Sequence, residues 1–396
     1  MNQDISICVL TENEMGWTEP FELDKVQILD NYYLSAQKSD IAFLKKMDTA
    51  RLLAGFRTTA GIDTKGVRPY GGWEDSLLGG HCVGHYLTAL AQAVKVTGDK
   101  ELKEKSQTLI AGLEECQKKL GTGFLFGAKV EDKEDVEKQF DILEGKKKGE
   151  TWVPWYNMHK VLAGLVDTYK YTGNETALLV AEKLGDWIYE RVSKWDLKTN
   201  QKVLETEYGG MNDCLYELYS HSHNKHHLEA AQKFDEKALF LMAAKGEKNC
   251  LDGKHANTQI PKFIGAIKRY NVLKQLGEAK QEDEAYLVDA EKFFEMVVKR
   301  HSFVTGGISV MEHFRKDYHL DEIRTQTNCE SCCAHNMLKL AKELFKATRK
   351  KEYADKGESI NVLQEGSGNG WSHCRSPESA SCGGRRCCLY PSVHFW

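Results

Sequence analysis

Apolar positions recur along most of the chain at three- and four-residue intervals, the period of a helix with one buried face. The clearest run carries Val161, Leu162, Leu165, Val166 and Tyr169, stops at Thr172-Gly173-Asn174, and resumes with Ala177, Val180, Ala181, Leu184 and Ile188. A glycine just past a helix end can take the left-handed cap, and the asparagine after it can cap the next helix. This stretch therefore predicts a helix–turn–helix unit. The same punctuation, Thr97-Gly98-Asp99, separates Leu87, Leu90, Ala91 and Val94 from Leu102, Leu109 and Leu113. It recurs in looser form around His223-Asn224 and Gly277, and another unit opens with Met337, Leu340, Ala341 and Leu344 ahead of Lys350.

One pair near Val26 to Phe56, four clear pairs and the opening helix of a sixth make up the series. The pattern predicts an all-α fold, an (α/α)6 barrel or toroid of helical hairpins with the last hairpin incomplete. Irregular spacing and long connections argue against a solenoid of near-identical repeats. An unclosed helical array is the alternative. The expected divisions are a lead segment over residues 1–25, the helical domain over 26–356, and a tail over 357–396. That tail has no helical period and is rich in Gly, Ser and Cys. It reads either as disordered or as a truncated or frame-shifted end, because the change falls inside a repeat unit.

Composition narrows the function classes. The chain has 396 residues, 41% hydrophobic and 28% charged, ordinary globular usage, and only six prolines, which suits helices. A net charge of −4 with both signs interspersed gives no basic stripe for nucleic acid and no polybasic membrane patch. The opening residues show no cationic segment leading into an apolar one, and nowhere is an apolar run long enough for a membrane span. With no leader evident, the twelve cysteines are expected as reduced thiols or metal ligands in a cytoplasmic protein.

Two long connections carry most of the candidate chemistry: Lys65 to His85 and His301 to Asn328. Just after the second, Cys329-Glu330-Ser331-Cys332-Cys333 opens a helix. A carboxylate and a thiolate two residues apart can reach one cation, although on spacing alone packed thiols are the simpler reading. Glu312 follows Gly306-Gly307-Ile308-Ser309-Val310-Met311 and precedes His313 and Phe314. Apolar flanks suit a general acid, whereas a plain surface glutamate is the ordinary alternative. His81 and His85 stand four apart, but Cys82 occupies the place of a metalloprotease glutamate, so packing or hydrogen bonding to substrate is expected there rather than metal. His159 follows Trp152, Trp155 and Tyr156, and His255 precedes Asn257 and Gln259. Aromatics beside neutral donors and acceptors are how sugar sites are built, though a single histidine is more often structural.

The strings LLAGFRTTAG, YGGWED, GGHCVGHYLTALA, YNMHKVLAGLVDTY, HANTQIPKFIGA, GGISVMEHF and ESCCAHNMLKL resemble the β-L-arabinofuranosidases of glycoside hydrolase families 127 and 146. They span roughly residues 26 to 355. The resemblance implies a bacterial enzyme whose (α/α)6 barrel releases terminal arabinofuranose-type sugars from plant glycans by a retaining mechanism with a cysteine nucleophile. It implies zinc held by one glutamate and three cysteines, to which Glu330 and Cys332 would contribute. Glu312 matches the acid/base, and His159 and His255 match substrate-contacting histidines. The other two family cysteines form an adjacent pair beyond the barrel. Cys387-Cys388 is adjacent too, but its neighbours do not match, so the nucleophile is unassigned and the chain is expected to be incomplete and of uncertain activity. The alternatives are a sugar-binding helical toroid without catalysis, or another α/α-barrel sugar enzyme such as an epimerase. The expected partner is an oligosaccharide or glycoside.

Overall fold

A computed structural model describes residues 19–130, 132–320 and 328–355; the proposed tail over 357–396, with Cys387 and Cys388, lies outside the described residues. Helices α1 (Asn31–Lys46) and α2 (Thr49–Thr59) form the first pair, and α3 (His81–Thr97) and α4 (Lys100–Leu120) the second. The short α5 (Lys138–Leu143) precedes the third pair, α6 (Pro154–Thr172) and α7 (Glu175–Val192). After α8 (Leu197–Leu204) come α9 (Met211–Ser222) and α10 (Lys225–Gln232), then α11 (Lys237–Ala244). The fifth pair is α12 (Ala256–Gln275) and α13 (Glu284–Arg300), and α14 (Ser331–Thr348) opens the sixth.

The punctuation read in the sequence has a structural counterpart at each joint. Gly98 and Gly173 take left-handed caps, and Asp99 and Asn174 then accept backbone N–H groups of the next helix. His223 and Arg349 hold the same left-handed conformation without being glycine. The apolar stripes are buried as expected: Leu162, Leu165, Ala177, Val180, Ala181, Leu184 and Ile188 are all fully inaccessible.

Helix packing passes from α3 to α6, α9, α12 and α14 on the inside, and from α2 to α4, α7 and α10 on the outside. One cavity, about 1250 Å³ of empty space open to solvent, is lined by residues of all five inner helices α3, α6, α9, α12 and α14. This is the axis of an (α/α)6 toroid, and the described residues close five hairpins and begin the sixth. The axis is polar: Lys170 and Lys268 both pair with Glu217, and Lys268 also reaches Glu343 at 3.2 Å.

Glycines let α3 and α6 approach backbone to backbone. A Cβ on Gly84 would lie 1.9 Å from the Lys160 carbonyl oxygen, and one on Gly164 would lie 2.5 Å from the Gly84 carbonyl oxygen. Among the described residues, no helix is long and apolar enough to cross a membrane.

Candidate active site

The starts of the inner helices gather at one end of the ring. Asn157 near the start of α6 donates to Leu77 O ahead of α3 at 3.2 Å. The Gly210 N–H at the start of α9 donates to His159 Nδ1 on α6 at 2.9 Å. Asn336 on α14 donates to Asn257 Oδ1 on α12 at 2.8 Å. The inner helices leave their connecting loops at this mouth, and both long connections arrive here.

The second connection is pinned on both sides. Residues 255 and 313, and 310 and 328, form isolated β-bridges, through His255↔His313 and Val310↔Asn328. The Ala256 N–H donates to the Glu312 carbonyl at 2.9 Å, and Cys329 N–H to the Ser309 carbonyl at 3.3 Å. Glu312 is thus tied to the start of α12, and its loop to the start of α14. The path is strained: Ser309, Met311, Glu312 and Cys329 all have positive φ, between 51° and 76°. Non-glycine residues adopt that conformation at a cost and concentrate where geometry serves function.

His255 caps the start of α12 and stands between the two groups. Its Nδ1 is paired with Glu207, and its Nε2 lies 4.0 Å from Glu312 Oε2. Burial works against a charge on His255, but the hydrogen bond and charge of Glu207, with the charges of Glu312 and Glu330, outweigh it and raise its pKa. Glu312 and Glu330 therefore share one imidazole as neighbour, although eighteen residues separate them in the chain. The Glu312 side chain is 27% exposed, and its apolar neighbours Val310 and Phe314 are buried in the core, so an imidazole faces the carboxyl where the sequence suggested apolar flanks.

Glu330, Cys332 and Cys333 bring one donor atom each to within 4.8 Å of one another. An oxygen and two sulfurs at that separation fit a thiophilic divalent cation, with room for another ligand. Cys333 also lies 3.9 Å from Ser309 Oγ, on the strained loop. The hydrogen bond to Cys333 comes first, then burial, in pushing the Cys332 thiol well above its ordinary pKa, so the Cys332 sulfur needs a cation to become a thiolate. The sequence reading named Cys333 in the cluster but assigned ligand roles only to Glu330 and Cys332.

His159 is buried, 5% exposed, and sits in the second turn of α6. Burial, then the charges of Lys160, Lys339 and His85, hold its pKa well below the usual histidine value. With Nδ1 accepting from Gly210, the neutral ring carries its proton on Nε2. Gly209, at φ 60°, approaches so closely that a Cβ there would lie 2.5 Å from His159 Nδ1. The structure thus places His159 in the floor under the mouth, supporting the start of α9. His85 is held neutral by burial first and then by nearby cations, and belongs to the axial wall.

Two participants were not singled out in the sequence, although Glu74 falls within the YGGWED string. Glu207, in the loop before α9, orients His255. Glu74, in the 3₁₀ turn Gly72–Asp75, lies 3.1 Å from His81 Nδ1 and forms a second compact group with His81 and Cys82.

A family description, the GH127 catalytic domain of β-L-arabinofuranosidase, matches residues 25–362. Among solved structures, a GH127 β-arabinofuranosidase superposes with a TM-score of 0.60 at 17% identity, over 87% of this chain and 54% of that one. A GH127 β-L-arabinofuranosidase from Geobacillus stearothermophilus T6 gives 0.55 at 17% identity, over 86% and 53%. At those identities the likeness speaks for the fold, and the chain spans about half the length of each. No curated protein matches significantly. Since the family description spans most of the sequence, the chain belongs to the GH127 β-L-arabinofuranosidase catalytic-domain family.

Proposed function

We propose that this chain is the catalytic portion of a glycoside hydrolase that releases terminal arabinofuranose-type sugars from plant-derived glycans with retention. The observation that carries the reading is the meeting of Glu312 and the Glu330–Cys332–Cys333 corner at His255. A proton donor and a sulfur-rich corner at one ring mouth are the two halves that a thiolate-assisted glycosidase needs.

In this reading Glu312 protonates the leaving glycosidic oxygen and later removes a proton from the attacking water. Its strained backbone and bridged loop hold the carboxyl in one place, which favours that transfer. His255, oriented by Glu207, keeps an imidazole beside Glu312. Buried His159 fixes the Gly209-Gly210 turn that shapes the floor. Glu330, Cys332 and Cys333 would hold zinc, which when bound keeps ligating sulfur deprotonated at neutral pH. The nucleophilic sulfur expected from the family, for which Cys387 and Cys388 were considered, lies outside the described residues.

The test is arabinose release from a nitrophenyl arabinofuranoside. Glu312→Gln should lower kcat/KM by about 10²–10⁴-fold, the usual range for loss of a general acid. Undiminished release in that variant would refute the assignment of Glu312. Arabinose binding with no release by the unaltered chain would favour the sugar-binding toroid instead.

A further inference from the structure

A separate group at the ring mouth has the connectivity of an activated nucleophile. Glu74, 8% exposed, places Oε1 3.1 Å from His81 Nδ1. The same Nδ1 lies 2.7 Å from the Leu78 carbonyl oxygen. A carbonyl can only accept, so the proton sits on Nδ1, and the Nε2 lone pair faces Cys82 Sγ at 3.6 Å. Carboxylate, imidazole and thiol follow one another in the order that activates sulfur in Cys–His enzymes.

The rest of the surroundings agree. Glu74 accepts the N–H groups of Gly80 at 2.9 Å and Cys82 at 3.2 Å, at the start of α3. Burial pushes its pKa up, but the hydrogen bond and charge of His81, with help from a hydrogen bond of the Cys82 side chain and from the Gly80 N–H, hold it below the ordinary value. Such a trio could also ligate a cation. The positive end of the helix dipole opposes a cation here and favours a thiolate, which decides between the two readings. The groups that face His81 are His85, one turn along α3 with its ring 6.2 Å away, and Tyr156 on α6, also at 6.2 Å. His85 is neutral, as shown above, so it adds no competing positive charge. Cys82 is partly accessible, whereas the thiols Cys116 and Cys214 are buried.

We propose that Cys82 is an activated thiol and a covalent modification site for small soft electrophiles, hydroperoxides among them. The proposal stands apart from the glycosidase reading. As the Cys82 S–H proton passes to His81 Nε2, the sulfur electron pair forms an S–O bond to one peroxide oxygen and the O–O bond breaks. The departing hydroxide, or alkoxide from an organic hydroperoxide, takes that proton from His81 Nε2 and leaves as water or alcohol, which returns the imidazole to its starting state. Sulfur is oxidised from thiol to sulfenic acid, and the peroxide is reduced.

The experiment uses the full, reduced chain with limiting iodoacetamide, reading alkylation of the Cys82 peptide by mass spectrometry from about pH 5.5 to about pH 9. Here the sulfur forms a bond to the methylene carbon, iodide leaves, and the proton goes to solvent through His81. The Cys82 rate is expected to level off by about pH 7, and His81→Gln should lower it about tenfold at about pH 6.5. Brief hydrogen peroxide followed by dimedone should label Cys82 in the unaltered chain and not in folded His81→Gln. Circular dichroism shows whether that variant folds. If it does not, the unaltered chain unfolded in urea serves instead, and Cys82 must there lose its low-pH reactivity. A Cys82 rate that climbs to about pH 9 exactly as in the unfolded chain overturns the proposal, as does an unchanged rate in folded His81→Gln.

Discussion

His255 Nε2 lies 4.0 Å from Glu312 Oε2, while Glu207 holds the opposite ring nitrogen. At 4.0 Å the first contact is electrostatic rather than a hydrogen bond.

That arrangement makes Glu207 a positioning residue for His255. Glu207→Gln removes the leading influence raising the His255 pKa, leaving burial to dominate, so the histidine should titrate at lower pH than in the unaltered chain. Nitrogen-15 NMR of the histidine rings measures this directly. An unmoved titration would show that Glu207 does not control the ring.

The close approach of α3 to α6 predicts a steep cost at Gly84. Alanine there collides with backbone, 1.9 Å from Lys160 O, and should destabilise the fold by roughly 2–4 kcal/mol. Gly112→Ala meets the Leu53 side chain, Cδ1 at 2.4 Å, Cδ2 at 3.1 Å and Cγ at 3.3 Å, which can give way where backbone cannot, so a milder loss is expected. Urea midpoints for the two variants rank them, and equal losses would count against a backbone-on-backbone seam.

Burial pushes the Asp40 carboxyl on α1 up to about 7 from 3.8. Between those values the folded chain retains a proton that the unfolded chain has lost, so stability falls as pH rises through that window. Asp40→Asn removes the effect. It should raise stability by roughly 1–4 kcal/mol near neutral pH and much less at about pH 4. Thermal midpoints at both pH values check the sign; a gain that is larger in acid would reverse it.

Much of the ring was legible because its signals are local. Asn174 and Asp99 cap the helices they were expected to cap, and the Leu162–Leu165 stripe is buried as the period required. The candidate site was legible only in pieces. Glu312, Glu330, Cys332 and His255 could be singled out by type and company, but their meeting depends on two β-bridges that no periodicity announces. Glu207 carries no local mark at all, since its importance comes from a partner 48 positions away. The His81–His85 spacing, read as packing or hydrogen bonding to substrate, gave no hint of the partners His81 has within the chain. His81 turns to Glu74 and Cys82, because the loop before α3 folds back over the helix start.

The central claim is that the proton donor, the imidazole and the sulfur corner line a single sugar site. The most direct measurement is the absorption spectrum of the cobalt-substituted chain, titrated with arabinose. The account predicts intense sulfur-to-cobalt charge-transfer bands, weakened by Cys332→Ser, that shift as the sugar binds and stay still in His255→Gln. Cobalt binding without those bands, or arabinose binding that leaves them untouched, would contradict it.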